Sequence, residues 1–140
     1  MDNFALRGVP IEGLLLIEAK KYGDSRGFFM ETWNERDFEK LGLRVKFVQD
    51  NHSRSKKGTL RGLHFQKTHP QGKLVGVTSG EVFDVAVDLR KSSPTFGRWH
   101  GVTLRGDEGT LFYVPPGFAH GFYVILGQAD SMYKSKEVRT

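Results

Sequence analysis

The sequence predicts an all-β domain, a sandwich or barrel of short strands carrying one short helix. Three observations lead there. Short apolar or alternating runs recur at close spacing from Gly13 to Ser135, with glycine or polar punctuation between most of them. The run "EVFDVAVDLR" divides into two faces, with Phe83, Val85, Val87 and Leu89 on one and Val82, Asp84, Ala86 and Asp88 on the other. Only one segment carries helix signals at both ends.

In chain order, Gly13–Ala19 and Gly27–Trp33 are the first runs. Asn34 then offers a capping oxygen, Glu35 to Leu41 fill a helix, and Gly42 ends it. Strands resume at Val45–Ser53 and Thr59–Gln66. Lys73–Ser79 and Glu81–Arg90 follow, then Arg98–Leu104, Thr110–Val114, Ala119–Leu126 and Ser131–Ser135. The 140 residues suggest a single domain, 1–140, with no repeat, low-complexity stretch or linker. A chain of this size buries roughly two thirds of its unfolded surface, enough for a real core.

Composition excludes several classes. Cysteine is absent, which removes disulfides, thiolate zinc sites and cysteine nucleophiles and suits a reducing compartment. "MDNFALRGVP" lacks the basic-then-apolar pattern of a signal peptide, and "GLLLI" is too short to span a bilayer, so a cytoplasmic protein without membrane attachment is expected. The net charge of +5 is matched by one segment, Arg44 to Arg61, which holds six basic residues and one acid. Such a patch suggests a phosphorylated partner. No nucleic-acid-binding module accompanies it, so a small phosphorylated ligand is the preferred reading over nucleic acid.

Alternation places Lys73 with Val75 and Val77, and His120 with Phe122 and Val124. Taken singly, each is better read as a strand-end lysine reaching water and a satisfied core histidine. Convergence on one cavity would reverse that. Arg61 and His64 lie three positions apart, so a regular strand would send them to opposite faces. A bulge or bend at Gly62 would bring them together.

Two stretches have the spacing of the cupin barrel. Gly58 is followed six positions later by His64, and Gly109 leads to Pro115-Pro116-Gly117 and His120. This resemblance implies a cupin-type jelly roll, or double-stranded β-helix. The cupin metal motif has a second histidine where Gln66 stands, and no glutamate appears before Glu81. A transition metal needs three or four imidazole or carboxylate ligands, and two of the four expected remain. No functional metal is expected.

"DSRGFFMETW", "FVQDNHSRSKKGTLRGLHFQ", "QGKLVGVTSGEVFDVAVDLRKSSPTFGRW", "YVPPGFAHGF" and "SMYKS", in this order, resemble the dTDP-4-dehydrorhamnose 3,5-epimerase family. The resemblance spans about Gly13 to Lys134. It implies a jelly-roll homodimer that epimerises C3 and C5 of a nucleotide-linked 4-keto-6-deoxy sugar in deoxysugar biosynthesis, without a cofactor. It makes His64 the base, Tyr133 the acid and Lys73 the partner of the enolate oxygen. It puts Arg26, Glu31, Gln49, Asn51, Arg61 and His120 on the substrate. The residue types suit the chemistry: a histidine base works near neutral pH, a cation stabilises an enolate, and arginine forks grip phosphate. Phe28 or Phe29 offers a stacking surface. Asp84 is either a carboxylate behind an active-site imidazole or an outward-facing strand acid.

The family pattern normally continues some tens of residues past the tyrosine and includes an aspartate paired with the catalytic histidine. That part has no match here, and Glu137 does not fit its pattern, so Asp84 is one candidate to orient His64 instead. Two other readings stay open: epimerisation of a single carbon on another nucleotide sugar, and a non-catalytic sugar-nucleotide binder.

Overall fold

The computed structural model describes residues 2–65 and 71–136. The strands are β1 (Phe4–Gly8), β2 (Leu15–Ala19), β3 (Lys21–Asp24), β4 (Gly27–Met30), β5 (Gln49–Ser55), β6 (Leu60–His64), β7 (Lys73–Asp88), β8 (Trp99–Arg105), β9 (Thr110–Val114) and β10 (Phe118–Ser135). The helix α1 covers Glu35–Lys40. Asn34 caps it by accepting from the Asp37 amide at 3.2 Å, as its sequence suggests. Among the described residues no helix is long and apolar enough to cross a membrane.

The architecture is built on β7 and β10, which pair antiparallel along most of their length. Sequence punctuation at Gly80 and around Gly127 divides each into two runs, yet each is one long strand. The two halves have different neighbours. The first half of β7 and the last half of β10 sit in the order β1-β2-β9-β7-β10-β5, whereas the other halves sit between β8 and β6. The sheet folds over at this junction, where the β7–β10 register slips. Gly80 is required there: its φ is +81°, and a Cβ would come within 2.6 Å of the Gln128 carbonyl.

One core fills the space between the halves. Val75, Val77, Phe112 and Val114 from one half meet Val82, Ala86, Leu104 and Val124 from the other. The result is a jelly roll. A second core lies on the outer side of the first half, where Phe4, Ile17, Phe38, Leu43, Leu74 and Tyr113 pack beneath α1. Phe38 and Phe112 are fully buried, each contributing about 1.5–3 kcal/mol of transfer free energy. Strand β1, which no run marks, pairs with β2 and buries Phe4 against Phe38 at 4.6 Å between ring centroids.

The two faces of "EVFDVAVDLR" separate clearly. Val82, Asp84, Ala86 and Asp88 point into the barrel and are buried, while Phe83, Val85 and Val87 lie half-buried on its outside. The outward-facing reading of Asp84 is therefore overturned. The outer face continues through Tyr123 and Leu60, paired in register, and through Trp99, 63% exposed opposite Val87. Asp88 anchors the loop after β7. It accepts from Arg90 Nε at 3.0 Å, from Ser93 at 2.7 Å and from Thr95. The Arg90 guanidinium, helped by Thr95 and Ser93, holds the Asp88 carboxyl well below the usual carboxylate range despite its burial.

Candidate active site

Direct partners in a ladder share a face, so the register assigns the residues of the barrel wall. In one half, Tyr133 lies between Asn51 of β5 and Val75 of β7, and Ser135 lies between Gln49 and Lys73. Val75 is in the inner core, so Lys73, Tyr133, Asn51 and Gln49 share the interior face. The Lys73 ammonium stands 5.1 Å from the centroid of the Tyr133 ring, a cation–π distance. Gln49 Nε2 donates to Asn51 Oδ1 at 3.1 Å.

In the other half, His120 pairs with Ala86 on one side and His64 on the other, and Phe122 pairs with Asp84 and Arg61. His64 and Arg61 thus share the interior face with His120. The ladder accomplishes this with a slip: three residue steps on β6 oppose two on β10. The extra residue sits at Gly62, where the sequence suggests a bulge. Gly62 has φ +93°, and a Cβ there would lie 2.7 Å from the His120 carbonyl oxygen. Gly121 faces it, and a Cβ on Gly121 would come within 2.5 Å of the Arg61 carbonyl.

Asp84 does not serve His64. It lies 2.7 Å from the His120 ring through Oδ1, and the His120 side chain is 11% exposed. Among the described residues His64 has no carboxylate partner, so the expectation that Asp84 orients His64 is corrected to His120. The reason is register: Asp84 sits one interior position from Ala86, the direct neighbour of His120, whereas His64 is a strand farther away. Asp84 Oδ2 is buried with no side-chain or backbone partner among the described residues.

Arg26 and Glu31 are not brought to this wall. Arg26 pairs with Asp24 at 2.8 Å in the β3–β4 turn, and Glu31 accepts from Asn3 at 3.3 Å and from Asn34 at 3.4 Å. Phe28 and Met30 of that hairpin line a cavity of about 290 Å³ with Leu74, Met132, Tyr133 and Lys134. Phe28 and Phe29 are 55% and 72% exposed, so the stacking surface faces outward within this protomer. Gln66, His69 and Glu137 lie outside the described residues. Among the described residues no group of three or more histidine, aspartate or glutamate side chains is placed to hold a metal ion.

One member of the wall escapes sequence reasoning. Ser55, at the end of β5, is buried and accepts from Arg61 Nε at 2.9 Å. The available signal is the alternation of "QDNHSRS": Gln49, Asn51, Ser53 and Ser55 are neutral and polar, while Asp50, His52 and Arg54 between them are charged or titratable and exposed. A strand that places small neutral polar groups on its inner face lines a polar cavity. The wall as a whole offers two imidazoles, a phenol, an ammonium and a guanidinium. That set can bind an anion and move a proton.

A family model described as dTDP-4-dehydrorhamnose 3,5-epimerase matches residues 8–139. The chain is 51% identical over 138 residues to the dTDP-4-dehydrorhamnose 3,5-epimerase of Methanothermobacter thermautotrophicus, covering 99% of this chain and 75% of that one. It is 55% identical to the Shigella flexneri enzyme of the same name, covering 89% of this chain and 70% of that one. Among solved structures, dTDP-6-deoxy-D-glucose-3,5-epimerase of Legionella pneumophila, in complex with dTDP-4-keto-L-rhamnose, superposes with a TM-score of 0.94 at 52% identity, covering 98% of this chain and 73% of that one. A 3'-monoepimerase from Streptomyces bikiniensis, in complex with dTDP-quinovose, superposes with a TM-score of 0.88 at 30% identity, covering 94% and 68%.

Proposed function

The chain belongs to the dTDP-4-dehydrorhamnose 3,5-epimerase family, a family of isomerases, and on that premise we propose that it inverts C3 and C5 of a dTDP-linked 4-keto-6-deoxy sugar, on the route to rhamnose, with the wall of the barrel as its active site. The observation that carries the reading is the shared interior face of Lys73 and Tyr133 on one half of the barrel and of His64, Arg61 and His120 on the other.

The C4 ketone acidifies the protons on C3 and C5. His64 takes one of them, and the electron pair moves through the new carbon–carbon double bond onto the C4 oxygen. Lys73 stands beside that oxygen and stabilises the enolate. Tyr133 returns a proton to the opposite face of the carbon, which inverts the centre. His64 then gives its proton to solvent and Tyr133 regains one, so atoms and electrons balance without a redox step. Arg61 grips the diphosphate, Gln49 and Asn51 bond the sugar or base, and His120, held by Asp84, contacts the sugar.

The same reading includes a homodimer. The outer face bearing Phe83, Val85, Val87, Tyr123 and Trp99 is apolar and partly exposed, a surface that a second copy would cover. Arg26, Glu31 and the Phe28–Phe29 pair sit outside the barrel of their own protomer, so they act on substrate by reaching the cavity of the partner. A cytoplasmic location accords with the absence of cysteine.

NMR of the product tests the proposal. Incubation with dTDP-4-keto-6-deoxyglucose is expected to yield the sugar inverted at both C3 and C5, and Tyr133→Phe is expected to yield none. Inversion at C3 alone would move the assignment to a monoepimerase. Recovery of unchanged substrate would overturn it.

A further inference from the structure

Arg61 is exposed to solvent, yet its position is defined at both ends. Its carbonyl is seated against Gly121, where a Cβ would approach within 2.5 Å, and its Nε donates to Ser55 Oγ at 2.9 Å. Ser55 is 5% exposed and sits opposite Ala129 on the interior face, so its hydroxyl is a fixed acceptor inside the wall. The two terminal nitrogens of Arg61 have no partner among the described residues. An unrestrained arginine at a cavity mouth samples many rotamers, and ordering it on ligand binding costs affinity. With Nε engaged, the guanidinium plane is fixed and its paired terminal N–H groups remain for the ligand, the edge that suits a bidentate contact with phosphate.

We propose that Ser55 is a positioning residue for diphosphate recognition: its buried hydroxyl holds Nε of Arg61 so that the terminal nitrogens are presented, pre-oriented, to the diphosphate of the nucleotide sugar. This rests on the reading of Arg61 as the diphosphate ligand. Ser55 itself touches neither the phosphates nor the reacting carbons. Its contribution therefore falls on binding, and it depends on the residue at position 61.

A double-mutant cycle separates the two claims. Affinity for dTDP and for thymidine is measured by titration calorimetry for the unaltered protein, Ser55→Ala, Arg61→Lys and the doubly substituted Ser55→Ala/Arg61→Lys. Arg61→Lys keeps the charge but has no Nε–H to give Ser55. The expected result is that Ser55→Ala weakens dTDP binding about 3- to 10-fold, corresponding to loss of pre-orientation rather than of a direct contact. Thymidine binding is unchanged, and KM for the nucleotide sugar rises while kcat holds. Arg61→Lys weakens dTDP binding about 10-fold or more, and adding Ser55→Ala to it changes nothing further. Undiminished dTDP affinity in Arg61→Lys would overturn the role of Arg61 itself. Weakening in Arg61→Lys with no loss in Ser55→Ala, or an equal loss from Ser55→Ala in both backgrounds, would overturn the role of Ser55 and leave that of Arg61 standing. Should Ser55→Ala fail to fold, Ser55→Cys serves as the isosteric variant that weakens the acceptor, with the same expectations.

Discussion

His120 and Asp84 meet at 2.7 Å inside the barrel, ring nitrogen to carboxylate oxygen, on the two long strands that hold the fold together. One strand farther out, His64 occupies the next position of the same ladder row without a carboxylate beside it among the described residues. The two histidines of the wall are thus chemically unequal. Asp84 fixes the orientation of His120, while His64 stays exposed to solvent.

The stability of this pair is asymmetric. Asp84 is fully buried and its second oxygen has no partner among the described residues, so His120 is the main compensation for its burial. His120→Ala strands the carboxyl and is expected to cost about 3–5 kcal/mol. Asp84→Asn keeps a hydrogen-bonding group of the same size and is expected to cost less. Urea denaturation of both variants at pH 7 compares them, and equal costs would count against the pairing.

The bulge at Gly62 gives a second test. Gly62→Ala introduces a Cβ 2.7 Å from the His120 carbonyl, on a backbone with φ +93°. A shift of the β6–β10 ladder is the only relief, at a cost on the order of 1–3 kcal/mol. Because the same slip unites Arg61 and His64, activity is expected to fall further than stability explains. Thermal melting beside steady-state kinetics shows whether the two losses part.

Most strands were legible because they announce themselves locally, by alternation and by glycine at their ends; β1 and β3 carry no such run, and the glycines inside β7 and β10 divide each long strand in two. The helix was legible to within a residue, through Asn34 and Gly42. What local pattern cannot encode is which face turns inward. In "EVFDVAVDLR" the more apolar face, Phe83, Val85 and Val87, lies outside, and the face with two aspartates is the buried one. Both carboxyls are compensated by partners distant in sequence or beyond the strand, His120 for Asp84 and Arg90, Ser93 and Thr95 for Asp88. The pairing of His64 with His120 needs the register of two strands far apart in the chain. The location of Arg26 and Glu31 outside the barrel depends on how a separate hairpin docks, which no residue spacing specifies.

Asp88 predicts the acid response. Its folded-state carboxyl is held below the ordinary aspartate range, chiefly by Arg90. A depressed pKa stabilises the fold above the unfolded value of about 3.9, and that contribution is lost as pH falls below it toward the folded value. Asp88→Asn is therefore expected to be less stable than the unaltered protein at pH 7, with the gap narrowing as pH drops below about 4. Urea midpoints at pH 7, 4 and 3 measure the gap. A gap that stays constant with pH would assign the loss to packing rather than to charge.

The apolar outer face predicts assembly. Val85 lies at the centre of that face, between Gly121 and Gly101. Sedimentation at micromolar concentration is expected to show a dimer for the unaltered protein and a monomer for Val85→Glu, with activity falling alongside. A monomeric unaltered protein would refute this part of the proposal.

The most direct test of the central claim is proton exchange. In deuterated water, with dTDP-4-keto-6-deoxyglucose as substrate, the account predicts deuterium at both C3 and C5 of the recovered sugar, read by NMR and mass spectrometry. His64→Ala is predicted to abolish the exchange while dTDP still binds. Failure of the unaltered protein to incorporate deuterium, or undiminished incorporation by His64→Ala, would contradict it.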